Sequence, residues 1–181
     1  KQKVDFFNLC LFCSYRSLSK YSWKNEIIFP YEFLRTKERF ITLPLIEKNY
    51  KKQIQVIDNI TDLTSRNVKD QYEENPYPRW RYIYKRPQTS FLKEIEQELR
   101  PNKIIYNNKF NNPNVLIAGC GTGSHSIQAT KYQNASILAV DLSKSSLAYA
   151  KRKTEELSLK NIEYLHADIL QLKKLNKKFD I

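Results

Sequence analysis

With 181 residues, 41% of them hydrophobic and 13% aromatic, the chain is long enough for one domain and part of another, and apolar enough to exclude a disordered protein. Three cysteines, an odd and low number, argue against a disulfide framework and fit a reducing, cytoplasmic compartment, and no apolar run approaches the roughly 18 residues of a membrane span. The net charge of +12 raises RNA as a partner, but the lysines run from Lys1 to Lys178 with only short doublets such as Lys51-Lys52 and Lys177-Lys178, so charge alone places no binding surface.

Residues 1–61 read as a helical or irregular region rich in aromatics, broken at Pro30 and Pro44. Cys10-Leu11-Phe12-Cys13 has metal-ligand spacing, but a structural zinc needs four ligands and His125 and His166 lie far along the chain. Set among Phe6, Phe7, Leu9 and Phe12, the two cysteines read as small buried hydrophobes, and no metal site is expected. Residues 62–113 form a pre-core region. Asp62 to Asn75 is expected to be helical and must end before Pro76, because the residue before proline avoids the helical conformation. Pro76-Tyr77-Pro78-Arg79-Trp80-Arg81-Tyr82-Ile83-Tyr84-Lys85-Arg86-Pro87 is a rigid, aromatic, basic linker. Ser90 caps a short helix with Leu92, Ile95 and Leu99 on one face, and Pro101 stops it. Asn102 to Asn114 is polar loop.

Residues 114–181 change pattern. Val115-Leu116-Ile117-Ala118 is a continuous apolar run, as expected of a strand covered on both faces of a parallel sheet. A glycine turn and a helix over 124–132 follow, then a second strand, Ser136–Val140, ending at Asp141. Ser143 caps a helix that turns Leu147, Ala150 and Leu157 inward, with Lys151, Arg152 and Lys153 including the wet side. Ile162–His166 is a third strand ending near Asp168, and Phe179 begins a fourth. Alternating strands and helices predict an α/β fold, a Rossmann-like doubly wound parallel sheet preceded by the mainly helical region. The chain starts at Lys1, holds no methionine and stops in the apolar-acidic-apolar Phe179-Asp180-Ile181, so it reads as a fragment whose core continues further, with weak or no activity alone.

The chain's three glycines, Gly119, Gly121 and Gly123, all fall in one five-residue turn between a strand and a helix. Glycine belongs where the backbone takes positive φ or a ligand touches the main chain, and the carboxyl end of the first strand is where open α/β sheets bind ligands. A dinucleotide turn has the spacing G-x-G-x-x-G/A. Here the third glycine arrives one residue early and Ser124 stands where glycine or alanine is wanted. The turn Gly119-Cys120-Gly121-Thr122-Gly123 suits a ligand without a pyrophosphate, such as the amino-acid end of S-adenosylmethionine. A tight turn with no ligand is the plain alternative. Asp141, ending the second strand, can accept both ribose hydroxyls, or simply favour a helix N-terminus. Asp168, after the third strand, can accept the adenine amino group, or simply cap a helix. Leu142 and Ile169 supply apolar faces for the adenine.

Together these residues resemble the class I S-adenosylmethionine-dependent methyltransferases over roughly 114–181. The resemblance implies contacts of Gly119, Cys120, Gly121, Thr122 and Gly123 with the methionyl part, Asp141 with ribose, and Asp168 with adenine. A second resemblance, in Asp70-Gln71-Tyr72-Glu73-Glu74-Asn75-Pro76-Tyr77-Pro78-Arg79-Trp80, is to the segment before the core in a bacterial group often fused to upstream tetratricopeptide repeats. By analogy with class I enzymes, Tyr72, Tyr77 and Trp80 are lid candidates, or they pack the pre-core helix onto the sheet. The methyl acceptor is unknown (protein, small molecule or RNA), and catalytic residues are unknown; neither His125 nor His166 is assigned as a base. In this family the segment after the fourth strand commonly shapes the acceptor site. Two other functions compete: a nicotinamide-dependent oxidoreductase, opposed by the early third glycine and Asp168, and a non-catalytic RNA-binding module in which Arg79, Trp80, Arg81, Tyr82 and Tyr84 stack on single-stranded bases.

Overall fold

The structure, a computed structural model, describes residues 4–102 and 111–181. Residues 103–110 of the expected polar loop lie outside the described residues. The chain divides between Asn49 and Tyr50 into two compact units.

In the first unit, helix α1 (Phe6–Tyr15) starts where the Asp5 carboxylate accepts the Phe7 and Asn8 N–H groups at 2.9 and 3.3 Å. Single tight turns at Leu18–Lys20, Ser22–Glu26 and Tyr31–Phe33 follow. Helix α2 (Leu34–Lys37) then passes through a π-helical turn, Glu38–Thr42, into α3 (Leu43–Gln53), whose last residues belong to the second unit. Pro30 ends a segment as expected. Pro44 does not: the helix runs through it. The wider turn just before it fits the missing proline N–H, which forbids one ordinary helical hydrogen bond. Leu9, Cys13, Leu18 and Ile41 form the core, with Phe6 stacked on Phe33 at 4.5 Å. Cys13 is therefore a buried small hydrophobe, and both Cys10 and Cys13 are free thiols.

The second unit is a parallel sheet with helices. Strand β1 (Gln55–Val56) is followed by α4 (Leu63–Glu74), capped by Asp62, and α5 (Phe91–Glu98), capped by Ser90. Then come β2 (Asn114–Ala118), α6 (Ser124–Ala129), β3 (Ser136–Asp141), α7 (Lys144–Glu156) and β4 (Ile162–His166). The order is β1-β4-β3-β2, all parallel. β1 is absent from the sequence expectation because two residues show no readable period. Beyond β2, Asp180 N–H donates to Asn114 O at 2.8 Å and Leu116 N–H to Ile181 O at 2.9 Å, so the run starting at Phe179 pairs with the sheet.

β3 lies between β4 and β2 and is buried on both faces. Ala139 joins Leu147, Ala150 and Tyr164 on one side, whereas Leu138 and Val140 join Leu165 and Ala167 on the other, the period-2 alternation of a strand. The register sets Asp141 opposite His166 and Ala118 opposite Val140, which aligns the carboxyl ends of three strands. One expectation for α7 fails. Arg152 is buried rather than wet: its guanidinium pairs with Glu156 and lies over the Tyr149 ring at 4.7 Å.

Candidate functional site

The turn after β2 has the conformation that demands glycine. Gly119, Gly121 and Gly123 all have positive φ, at 72°, 52° and 85°. Their surroundings differ. A Cβ built on Gly119 or Gly121 would meet no atom within 4 Å, whereas one on Gly123 would lie 2.6 Å from Ala150 Cβ and 3.0 Å from Tyr164 Oη. The first two glycines thus leave open main chain, and the third lets the start of α6 approach α7 and β4. Cys120 and Thr122 turn their side chains inward and are buried. Burial, then the nearby Asp141 carboxylate, pushes the Cys120 thiol well above its usual range, so it stays protonated.

Asp141 closes β3 and ties the turn to the next loop. Its Oδ2 accepts the Gly121 N–H at 2.8 Å and its Oδ1 accepts the Ser143 N–H at 2.9 Å. Burial raises its pKa against the lowering effect of those N–H groups and of His166. Each carboxylate oxygen carries two lone pairs, so both keep accepting capacity. His166 sits opposite Asp141, and burial holds its pKa below the ordinary imidazole value although a hydrogen bond with the Leu142 backbone opposes this.

Asp168 is 1% exposed. Its Oδ1 accepts the Leu170 N–H at 2.9 Å and caps the turn Ile169–Leu175, the capping role weighed from sequence. Its Oδ2 is also buried but has no hydrogen-bond partner within the protein, an arrangement that costs roughly 1–3 kcal/mol if left unmet. Leu142 is partly buried and Ile169 is exposed. His125 is exposed on the first turn of α6.

The pre-core segment braces these loops. Thr122 Oγ1 donates to Pro78 O at 2.7 Å, and Trp80 Nε1 donates to Thr122 O at 3.1 Å. The Trp80 ring packs edge-on against Tyr149, whose hydroxyl bonds Trp80 O, while Lys153 lies over the indole at 5.2 Å. Tyr77 is 73% exposed, and Tyr72 touches the site through its carbonyl, which accepts from Ser143 Oγ at 3.0 Å. Of the three aromatic candidates, Trp80 is lodged by its ring. Two polar residues escaped the sequence reading as site elements: Glu73, which bonds Ser143 Oγ at 3.1 Å and the Ser145 N–H at 3.0 Å, and Lys51, which pairs with Glu73. Glu73 stands inside the quoted Asp70–Trp80 stretch, but nothing local marks it as the partner of a loop 70 residues away.

An open glycine cradle, acids following neighbouring strands and a parallel sheet make this region an α/β, Rossmann-like fold with its polar groups gathered on one rim. Residues 115–181 match the family model described as a methyltransferase domain. An uncharacterized protein of Rickettsia prowazekii is 31% identical over 143 residues, 77% of this chain and 24% of that protein, so the chain spans about a quarter of the length of this curated relative. Among solved structures, PKMT2 from Rickettsia typhi is 27% identical over 57% of this chain and 19% of its own, with a TM-score of 0.40. Magnesium protoporphyrin IX methyltransferase from Synechocystis, solved with bound S-adenosylmethionine, is 24% identical over 68% of this chain and 62% of its own, with a TM-score of 0.42.

Proposed function

We propose that the chain binds S-adenosylmethionine across the carboxyl ends of β2, β3 and β4 and serves methyl transfer in the whole protein. The observation that carries this reading is Asp168 Oδ2, an acceptor buried without a protein partner on the strand next but one to an open glycine cradle. A ligand with an amino donor on its base satisfies it. The bare main chain at Gly119 and Gly121 receives the methionyl end; the side chains of Cys120 and Thr122 face inward and Gly123 serves packing, so these three contribute through the backbone or not at all. Asp141 receives the ribose hydroxyls on lone pairs left free by Gly121 and Ser143, and Leu142 and Ile169 flank the adenine.

The bound cofactor supplies a methyl group already activated on a sulfonium, so the protein's main work is alignment and exclusion of water. Asp141 and Asp168 orient the nucleoside, and the Pro78–Trp80 strap, held to Thr122, covers one side of the cradle as a lid. His166, kept neutral by burial and bonded to the Leu142 backbone, shapes the loop rather than moving a proton. Three free thiols fit a cytoplasmic setting, and among the described residues no helix is long and apolar enough to cross a membrane.

The test is a titration of 15N-labelled chain with S-adenosylhomocysteine and, separately, with NAD, a readout that detects weak binding. The expected result is shifts of the Gly119, Gly121, Leu142 and Ile169 amides with the first ligand and none with the second. Shifts at those amides with NAD alone would overturn the proposal.

A further inference from the structure

We propose that Glu73 is a positioning residue for the loop that carries Asp141, acting through Ser143 with Lys51 as its counter-ion. The inference rests on the cofactor reading above.

Glu73 lies in the last turn of α4, and one of its carboxylate oxygens accepts from two groups at the start of α7, the capping Ser143 Oγ at 3.1 Å and the Ser145 N–H at 3.0 Å. Its other oxygen pairs with Lys51 Nζ, and Lys51 Nζ also reaches Ser145 Oγ at 3.0 Å. Ser143 is fully buried. Its single hydroxyl proton is shared between Glu73 and Tyr72 O, and its oxygen accepts the Ser146 N–H at 3.0 Å, capping α7. The Ser143 N–H then donates to Asp141, and Asp141 accepts from Gly121. An unbroken run of polar contacts therefore links Lys51, Glu73, Ser143, Asp141 and Gly121. Every link after Glu73 fixes an atom of the proposed ribose site or of its support.

A staple that only stabilises the fold would make the same ion pair. Two features go further. Glu73 bonds Ser143, the residue next after Leu142, and the Ser145 N–H in the first turn of α7, and the Thr122–Pro78 bond braces the other loop of the cradle from the same segment. Docking of residues 72–80 and the shape of both cradle loops are thus one event, which makes segment docking and ligand binding thermodynamically linked.

The experiment measures the dissociation constant of S-adenosylhomocysteine, by the amide titration, for wild type, Glu73→Gln, Asp141→Asn and the double variant. Glutamine keeps the size and one acceptor but loses the charge and the pair with Lys51. Glu73→Gln is expected to raise the constant about tenfold, as for loss of one charge-assisted bond. In the Asp141→Asn background it is expected to add less than about twofold, because the run is already broken. Lys51→Arg is expected to stay within about twofold of wild type. Equal constants for wild type and a folded Glu73→Gln would overturn the inference while leaving the cofactor site intact, and full additivity with Asp141→Asn would overturn it as well. Absence of any shift in wild type would instead sink the cofactor reading and this inference with it. If Glu73→Gln does not fold, Ser143→Ala and Lys51→Met carry the same comparison, with a rise of about threefold or more supporting the inference and no change overturning it.

Discussion

The two ends of the sheet in the second unit are built from the same strands and differ in almost every chemical respect. At the amino ends, an open hollow of about 460 Å³ is bordered by Asn114, Ser136, Lys160, Glu163, Lys178 and Phe179. At the carboxyl ends the groups converge: three glycines of positive φ, two strand-end acids and a strap bonded to the turn. The reason is directional. In a parallel sheet every strand delivers its last residue, and every following helix its free N–H groups, to the same rim, so donors and acids accumulate there without any need for a deep cavity. The amino-end hollow is where helices return, and among the described residues no helix delivers its first N–H groups into it.

The comparison is broken or sharpened by substitution, and the largest effect is expected within the glycine turn itself. Gly123→Ala puts a Cβ 2.6 Å from Ala150 Cβ at positive φ, and urea denaturation should report a loss of about 2–4 kcal/mol. Gly119→Ala meets no atom within 4 Å, so its cost should stay near 1 kcal/mol, the backbone strain alone, while binding of S-adenosylhomocysteine falls. Next comes Asp141→Ala, which orphans the Gly121 and Ser143 N–H groups and removes the proposed ribose acceptor. A titration should show binding weakened about 30- to 100-fold. Asp168→Asn keeps the Leu170 cap and turns an amide N–H₂ toward the amino group of the adenine proposed there, with a loss of about tenfold expected by the same measurement. An effect of Lys178→Ala at the amino end exceeding about twofold on binding would break the comparison outright.

The smallest effect concerns pH. Burial lowers the His166 pKa below 6.5, with the Leu142 backbone and Glu73 opposing and Lys144 and Lys69 assisting. The unfolded chain then holds more protons than the folded one just below that value, so stability from neutral His166 is present above about pH 6.5 and is lost as pH falls through the folded pKa. Asp141 has the opposite sign, since its pKa is raised: its contribution is present below the unfolded carboxylate value and lost as pH rises through the folded one. Denaturation midpoints between about pH 7 and 5.5 should therefore fall in wild type and flatten in His166→Gln.

Legibility varied along the chain for identifiable reasons. Helices with a capping residue and a stop were visible to within a residue or two: Asp62 and Asn75 bracket α4, and Ser90 and Ser143 begin α5 and α7 as expected. The strands β2, β3 and β4 were visible as apolar runs, because a strand covered on both faces needs no polar side. β1 was not, nor was the passage of the helix through Pro44, since a two-residue strand and a widened helical turn exist only through neighbours that complete them. Arg152 stands in a basic run, Lys151-Arg152-Lys153, that includes the wet side of the helix; it is itself buried, with Tyr149 and Glu156 receiving it.

By itself the amino-acid order determined which residues could form the cradle: three glycines in one turn, and acids placed where two further strands stop. These are local properties, written in adjacent letters and in the periods of strands and helices. Only the tertiary structure decided how the three glycines divide, two toward open space and one against Ala150, and that Glu73 and Lys51 brace a loop far from them in the chain. Such pairings depend on which surfaces meet after the sheet assembles, and a hydrogen bond across 70 residues leaves no trace in either neighbourhood of the chain.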